Sequence, residues 1–450
     1  MTSSTTDVGA DLEGRVTGPL LRAGDPSLAA EVAPFNRART PRPVVAVGAT
    51  CAEDVSAAVG WAAMRGHRVA VQATGHGLTS SLAGAVLVTT KRMAGVEVDP
   101  VARAARVGAG ASGAQVIAAA APHGLMPLAG SSSQVGVVGY TLGGGLGPLG
   151  RRYGFAADHV RRLRLVTFEG AVREVDVDRE PELFWAVRGG KGNFGIVTEL
   201  EFGLVPVARL YGGGVFFPAE VAADVLHAYR EWAPTLSDET TTSIALLRLP
   251  PLPEVPEPLR GRFVVHLRIA HLGPAAEGAA LAAPMRAVAP ALLDVLADMP
   301  AAALDAVHMD PTEPMPVRER GATLTGLPAE AVDALLAAAG PDLDAPSLVM
   351  VEIRQLGGAL ARPPAVPNAV AGRDAAYSLL AVAPEDGPAS AVVDRLAPWS
   401  TGGALLNFLG AATAERIRGL WSPADLERLL AVKRRHDPAN VFALGQPIDG

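Results

Sequence analysis

Residues 74–81 read Thr74-Gly75-His76-Gly77-Leu78-Thr79-Ser80-Ser81 and directly follow a strand-like run at 67–72. Apart from His76 and Leu78, this loop consists of glycine and small hydroxylated residues. Such a loop can turn its backbone amide groups inward and hold an anionic group such as a pyrophosphate. The stretch therefore predicts a phosphate-binding loop behind a buried strand.

Two more glycine-dense loops follow, at 136–147 and 189–195. Because glycine has no Cβ atom, the backbone of such a loop can lie directly against a flat ligand. All three loops fall between residues 74 and 195. Their combination suggests one large, extended cofactor that contacts several loops.

Two segments match the dinucleotide pattern G-x-G-x-x-G: Gly108-Ala-Gly-Ala-Ser-Gly113 and Gly145-Leu-Gly-Pro-Leu-Gly150. A true Rossmann site also needs an acidic residue about 20 positions later to bind the ribose. Residues 114–157 contain no Asp or Glu, and Pro148 makes the second segment a poor helix entry. We therefore interpret both segments as close-approach loops rather than NAD sites.

The surrounding sequence alternates strand-like and helical segments. Strands are predicted at 43–47, 85–90 and 196–204, a helix at 52–65, and hairpins over 96–107 and 163–177. After about residue 205, strand-like runs at 262–270 and 348–356 alternate with Ala-rich helical segments such as 329–339. The predicted division is an N-terminal arm at 1–40, a first domain at 41–205, a second α+β domain at 206–400 and a C-terminal segment at 401–450.

Composition narrows the function classes. A chain of 450 residues is expected to form two or more domains. Its formal net charge of −7 and its lack of a basic run argue against nucleic acid and anionic membranes as partners. No signal peptide and no apolar stretch of membrane-spanning length is visible, so we expect a cytoplasmic protein. Cys51 is the only cysteine, which excludes an intrachain disulfide, and the histidines lack metal-ligand spacing, so no metal site is expected.

Six segments, in this order along the chain, resemble those of the FAD-linked oxidases of the berberine-bridge-enzyme group. They lie at 68–76, 135–147, 152–158, 183–198, 356–359 and 433–442. The resemblance implies an α+β fold: a two-subdomain FAD-binding domain of the vanillyl-alcohol-oxidase (p-cresol methylhydroxylase) type, plus an α+β substrate domain with an antiparallel sheet. It also implies that residues 401–450 return to the FAD-binding domain.

By the same resemblance, His76 carries FAD covalently through the 8α-methyl group of the flavin ring. Attachment fixes the ring and raises its reduction potential; the alternative is a loop histidine that only packs. The cysteine of the family's second covalent link corresponds to Ser132, so attachment through His76 alone is expected. The other implied FAD-contacting residues are Thr74, Gly75, Gly77, Leu78, Thr79, Ser80, Val135, Gly136, Gly139, Tyr140, Gly143, Gly144, Gly145, Gly147, Gly195, Ile196, Val197, Asn407 and Asn440.

The residues that perform chemistry are less well defined. Two tyrosines frequent in the family are replaced here by Leu146 and Leu405, which predicts an apolar pocket and a hydrophobic substrate. Flavin-dependent oxidation also needs a proton acceptor, and the candidates are Tyr377, Tyr140 and His308, each with a packing role as the alternative. Arg354 and Gln355 are predicted substrate contacts. By the same resemblance, Val135 occupies the position that governs oxygen access in the family, where a small residue implies oxidase behaviour.

The prediction is thus an FAD-dependent oxidase or dehydrogenase that acts on a small hydrophobic molecule, in bacterial secondary metabolism, with molecular oxygen as a candidate acceptor. One alternative is redox-neutral chemistry, a cyclisation or isomerisation in which FAD shapes the pocket. Another is a flavin-binding protein without catalysis. The sequence does not indicate the oligomeric state.

Overall fold

The computed structural model describes residues 9–343 and 348–449. The strands form three sheets. The first eight residues of the predicted N-terminal arm lie outside the described part of the chain. Residues 9–40 are not detached from the first domain, because a strand at Leu20–Arg22 pairs with the first sheet and Leu12 is fully buried in its core.

The first sheet has four strands in the order β1-β2-β4-β3. β4 pairs in parallel with both β2 and β3, and β1 is antiparallel to β2. β2 and β4 are buried along their whole length, as expected for parallel strands covered on both faces. The strands are β1 (Leu20–Arg22), β2 (Val45–Gly48), β3 (Val69–Gln72) and β4 (Val86–Thr89).

The second sheet has five antiparallel strands in the order β5-β6-β9-β7-β8. Both predicted hairpins are confirmed, as β5-β6 and β7-β8. The strands are β5 (Val96–Asp99), β6 (Ala104–Gly108), β7 (Val160–Val166), β8 (Val172–Asp176) and β9 (Ile196–Gly203).

The third sheet is antiparallel and has eight strands, in the order β13-β10-β12-β11-β16-β17-β15, with β14 also paired to β10. It confirms the antiparallel sheet predicted for the second domain. The strands are β10 (Arg209–Pro218), β11 (Thr240–Arg248), β12 (Phe263–His271), β13 (Leu293–Asp294), β14 (Ala297–Pro300), β15 (Arg318–Leu324), β16 (Met350–Gln355) and β17 (Tyr377–Ala383).

Helices cover these sheets. They are α1 (Leu28–Glu31), α2 (Ala52–Met64), α3 (Gly113–Ala120), α4 (Val137–Leu142), α5 (Gly150–Tyr153), α6 (Pro181–Gly190), α7 (Ala222–Trp232), α8 (Ala275–Arg286), α9 (Ala329–Ala339), α10 (Asp386–Arg395), α11 (Ala414–Arg418) and α12 (Pro423–His436). α12 packs against α6, and the C-terminal residues Leu429 and Ile448 are buried in the core of the five-stranded sheet. No helix in the described ranges is long and apolar enough to cross a membrane.

The eight-stranded sheet has two different faces. On one, alternate residues such as Val351 and Ile353 pack against α7, α8, α9 and α10 in the largest apolar core. On the other, Glu352 and Arg354 face the first domain, where the Arg354 guanidinium donates to Ser131 Oγ at 3.3 Å. The alternation of side chains along a strand therefore divides β16 into a core side and a site side.

Candidate functional site

His76 lies in the loop after β3, with its imidazole stacked on the Phe35 ring at a centroid distance of 3.9 Å. Its Nδ1 is hydrogen-bonded to Thr74 Oγ1 at 2.8 Å. Its Nε2 is buried and has no hydrogen-bond partner. Burial lowers the pKa of His76 to about 4, so the ring is neutral near pH 7 and Nε2 is available to form a bond.

The backbone around His76 requires glycine. Gly75 has a φ of +76°, and a Cβ atom there would lie 2.6 Å from Pro34. The Thr74 hydroxyl also accepts a hydrogen bond from the Gly136 amide at 3.3 Å. The first two glycine-dense loops therefore meet at His76, as the extended-cofactor interpretation requires.

A cleft opens beside this loop. Its wall includes His76 and the following Gly77, Leu78 and Thr79, together with Asn407 from the C-terminal segment. A second opening is lined in part by Ser132, Val135 and Tyr140.

The remaining predicted FAD-contacting residues lie in the glycine-dense loops, at the start of β9 and in the C-terminal segment. Asn407 Nδ2 donates to the Tyr140 carbonyl at 2.8 Å, and a Cβ atom on Gly143 would lie 2.1 Å from Asn407 Oδ1. Gly195, with a φ of +155°, leads into β9, which begins with Ile196 and Val197. The others are Gly139, Gly144, Gly145 and Gly147 in the second loop, Ser80 in the first, and Asn440 after α12.

Four of the predicted FAD-contacting side chains carry a buried polar atom without a hydrogen-bond partner. They are His76 Nε2, Ser80 Oγ, Tyr140 OH and Asn440 Oδ1. A buried polar atom without a partner costs about 1–3 kcal/mol, so such atoms are rare unless a ligand satisfies them. Their occurrence in three separate predicted contact segments fits a polar ligand as large as FAD.

The site side of the eight-stranded sheet holds a buried ionic cluster. Fully buried Glu352 accepts hydrogen bonds from Arg268 at 2.6 Å, from Arg354 at 2.7 Å and from Ser243 at 2.8 Å. Burial opposes ionisation of Glu352, but the two guanidinium groups outweigh it and hold its pKa well below the usual range. The carboxylate is thus a fixed anion that orients Arg354 toward the first domain.

His308 and Tyr140 adjoin this cluster. His308 Nε2 lies 3.5 Å from Glu352, and neither ring nitrogen has a hydrogen-bond partner. Burial lowers the pKa of His308; the nearby Glu352 carboxylate opposes this shift, and Arg354 and Arg268 add to it. Burial raises the pKa of Tyr140, so its phenol stays protonated. The site therefore contains a neutral imidazole and a neutral phenol beside the Arg354 guanidinium.

Tyr377 and Gln355 do not reach this site. They are register partners on β17 and β16, and Tyr377 is 5% exposed within the core that packs on α7 to α10. Gln355 Nε2 donates to the Ala233 carbonyl at 2.6 Å, and its Oε1 accepts from Thr242. Both side chains point to the core side of the sheet, away from Glu352 and Arg354.

Leu146 and Leu405, which replace two tyrosines, belong to one buried apolar cluster with Phe155, Leu356 and Leu360. Leu146 is 6% and Leu405 5% exposed. The two substitutions therefore meet in space and together remove two hydroxyl groups from one region.

Lys191, the third residue of the third glycine-dense loop, was not predicted as a site residue. It has φ +59° and ψ −139°, a conformation that costs a residue with a Cβ atom about 1–3 kcal/mol. Its Nζ donates to Asn407 Oδ1 at 3.2 Å, and it lines the same cleft as His76. The only sequence signal was a charged residue among glycines.

Comparison with known proteins agrees with this geometry. Residues 43–176 match the family model described as "FAD binding domain". The chain is 33% identical to (R)-6-hydroxynicotine oxidase from Paenarthrobacter nicotinovorans over 199 residues, which are 44% of this chain and 40% of that protein. The chain spans 34–52% of the length of the curated relatives it matches, and these include FAD-linked oxidoreductases of Bacillus subtilis.

Solved structures match over nearly the whole chain. The structure of 6-hydroxy-D-nicotine oxidase from Arthrobacter nicotinovorans covers 95% of this chain and 96% of its own, with 25% identity and a TM-score of 0.83. The Physcomitrella patens protein BBE-like 1 covers 99% of both chains, with 20% identity and a TM-score of 0.84. Residues 43–176 thus form an FAD-binding domain, and the chain as a whole has the fold of the berberine-bridge-like flavoenzymes.

Proposed function

We propose that the protein is an FAD-dependent oxidoreductase that oxidises a small hydrophobic molecule, with the flavin attached to His76. The observation that carries this proposal is the buried, neutral and unpartnered Nε2 of His76, which lines a cleft next to the glycine-rich loop of an FAD-binding domain. A bound flavin supplies the hydride acceptor for oxidation of the substrate.

Attachment through one residue fits the chain. A second covalent link needs a thiol, and the only cysteine, Cys51, is the residue before α2. Ser132, which occupies the aligned position, lies in the wall of the second opening. His76 alone is therefore expected to hold the cofactor, while Thr74 fixes the orientation of its ring through Nδ1.

The proton released during oxidation needs an acceptor, and His308 is the best placed group. Its imidazole is neutral, its nitrogens are free of hydrogen bonds, and it adjoins Arg354 at the site side of the sheet. Glu352 is a poorer acceptor because two arginines stabilise its ionised form. Tyr140, which stays protonated, is suited to donate a hydrogen bond to a substrate oxygen or nitrogen.

The substrate class follows from the mixed character of the site. The apolar cluster around Leu146 and Leu405 favours a hydrophobic body, while His308, Tyr140 and Arg354 supply a few polar contacts. Such a combination is typical of small-molecule sites. An alcohol or amine on a hydrophobic skeleton, as found in secondary metabolites, satisfies both parts, with molecular oxygen as the electron acceptor.

The test is a visible spectrum of the purified protein before and after acid precipitation. A yellow pellet with a colourless supernatant is expected for the natural chain, and a yellow supernatant for His76→Ala. Candidate alcohols and amines are then added without oxygen, and bleaching of the flavin identifies a substrate. A protein that stays colourless with added FAD would refute the proposal, and a substrate converted without bleaching would favour redox-neutral chemistry.

A further inference from the structure

Lys191 occupies a position where the backbone favours glycine, with φ +59° and ψ −139°. Its neighbours Gly189, Gly190 and Gly192 all lack a Cβ atom. Non-glycine residues in such conformations cluster at functional sites, where the surrounding structure compensates for the strain. A lysine at this strained position therefore indicates that its side chain has a function.

The side chain extends into the flavin cleft. Its Nζ donates to Asn407 Oδ1 at 3.2 Å and lies 3.8 Å from the place where a Cβ atom on Gly77 would stand. Gly77 directly follows His76, and all four residues line one cleft. The ammonium group is thus held next to the proposed attachment point.

The charges that face Lys191 are few. Glu319 lines the same cleft and favours the protonated lysine, and Arg39, Arg318 and His76 are the other titratable groups in its wall. Burial lowers the pKa of Lys191 to about 8, so the amine is mostly protonated at neutral pH. Burial raises the pKa of Glu319 to about 7, against the opposing effects of Lys191 and Arg354, so near neutrality its negative charge is only partial.

We propose that the ammonium group of Lys191 is a positive charge built into the flavin site, which stabilises the negative charge that a flavin held at His76 gains when it accepts a hydride. A cation in a partly desolvated cleft interacts with such a charge more strongly than it would in water. It favours the reduced over the oxidised cofactor and raises the reduction potential. The inference rests on the proposed function only in that a flavin must be bound at His76.

Three substitutions separate the effect of the Lys191 charge from the effect of its backbone strain. Lys191→Met removes the charge and keeps the backbone strain, Lys191→Gly removes both, and Lys191→Arg keeps the charge. Lys91→Met is a matched control, because Lys91 Nζ donates to the Glu31 carbonyl and does not line the cleft. The reduction potential of the bound flavin is measured by reductive titration against a reference dye, without any substrate.

The Met and Gly variants should lower the ratio of reduced to oxidised flavin at least tenfold at a given potential, a shift of about 30 mV for a two-electron couple. The Arg variant and the Lys91 control should stay close to the natural protein. The Gly variant should also melt at a higher temperature than the Met variant, because its backbone is unstrained. If the Met variant does not fold, the Gly variant still reports on the charge.

An unchanged potential in yellow Met or Gly variants would overturn this inference and leave the proposed function intact. Conversely, a lowered potential in a protein that oxidises no candidate substrate would support the role of Lys191 and count against the proposed function. A protein that binds no flavin would overturn both.

Discussion

Glu352→Gln is the perturbation that best separates an anchoring from a catalytic role on the site side of the substrate-domain sheet. The carboxylate lies 2.6 Å from Arg268 and 2.7 Å from Arg354, and it is fully buried. Glutamine has nearly the same shape but no charge, so two guanidinium groups that are 2% and 8% exposed lose their counter-ion. We expect a large loss of stability.

Its magnitude follows from the burial of the cluster. Removing one partner of a buried ion pair costs roughly 3–5 kcal/mol, because the remaining charge is left uncompensated in a medium of low polarity. In a domain of about 200 residues, each kcal/mol lowers the melting temperature by about 2–4 °C. Glu352→Gln should therefore lower the melting temperature of the substrate domain by roughly 6–20 °C.

Thermal unfolding followed by circular dichroism measures this loss, at equal flavin content for all variants. Glu254→Gln, at an exposed carboxylate of the same domain, is the control and should cost at most about 0.5 kcal/mol. A Glu352→Gln protein that melts within about 2 °C of the natural chain, less than 1 kcal/mol, would refute the anchoring role. If that protein also lost turnover, Glu352 would replace His308 as the proton acceptor.

Four other outcomes are expected. Tyr377→Phe should leave covalent flavin and turnover unchanged, because its ring lies in the helix-packed core; steady-state kinetics with an identified substrate would expose any loss. His308→Gln should slow flavin reduction about 100-fold or more in stopped-flow measurements while flavin content stays constant. Covalent incorporation of FAD into the apoprotein should be constant from about pH 8 to 5 and should fall near pH 4. The pKa of His76 is lowered to about 4, and protonation occupies the nitrogen that would bond to the flavin. Acid precipitation after incubation at each pH measures the bound flavin. Lys433→Met should cost roughly 3–5 kcal/mol in thermal unfolding, because buried Asp437, 2.6 Å from Lys433 Nζ, would lose its counter-ion.

Local patterns predicted the first domain well. The hairpins β5-β6 and β7-β8 follow from alternating apolar residues around short turns, and the loop at 74–81 follows from its glycines and small residues. Residues 137–142, predicted as part of the second glycine-dense loop, instead form the helix α4. The residues that form each of these patterns lie close together in the sequence, so the patterns can be recognised without knowledge of the fold. That the two loops meet at His76 could be expected only from the resemblance.

Side-chain direction on the long antiparallel sheet was harder to predict. Arg354 and Gln355 are adjacent on β16 and point to opposite faces, so a difference of one residue decides whether a side chain enters the site. Gln355 and Tyr377 are polar and looked suited to the site. In the structure, Gln355 forms hydrogen bonds on the helix-packed side with the Ala233 carbonyl and the Thr242 hydroxyl. No local sequence pattern predicts these partners.

The ionic cluster was missed for a related reason. Glu352 and Arg268 are 84 positions apart in the chain, on strands separated by β11. Only the short run Glu352-Ile353-Arg354, in which charged residues alternate with an apolar one, gave a hint of a charged face inside an otherwise apolar sheet. Pairing between distant strands decides where such charges meet.

The two halves of the site depend on contacts between the domains. The loop that carries Ser132 is tied to the substrate domain by Asp305, which accepts hydrogen bonds from the Ser133 amide at 2.8 Å and the Ser133 hydroxyl at 2.5 Å. Arg354, oriented by Glu352, reaches the same loop at Ser131. The buried anion at 352 therefore acts on the flavin side of the site through one arginine. For this reason, loss of its charge should loosen the domain contact as well as the sheet.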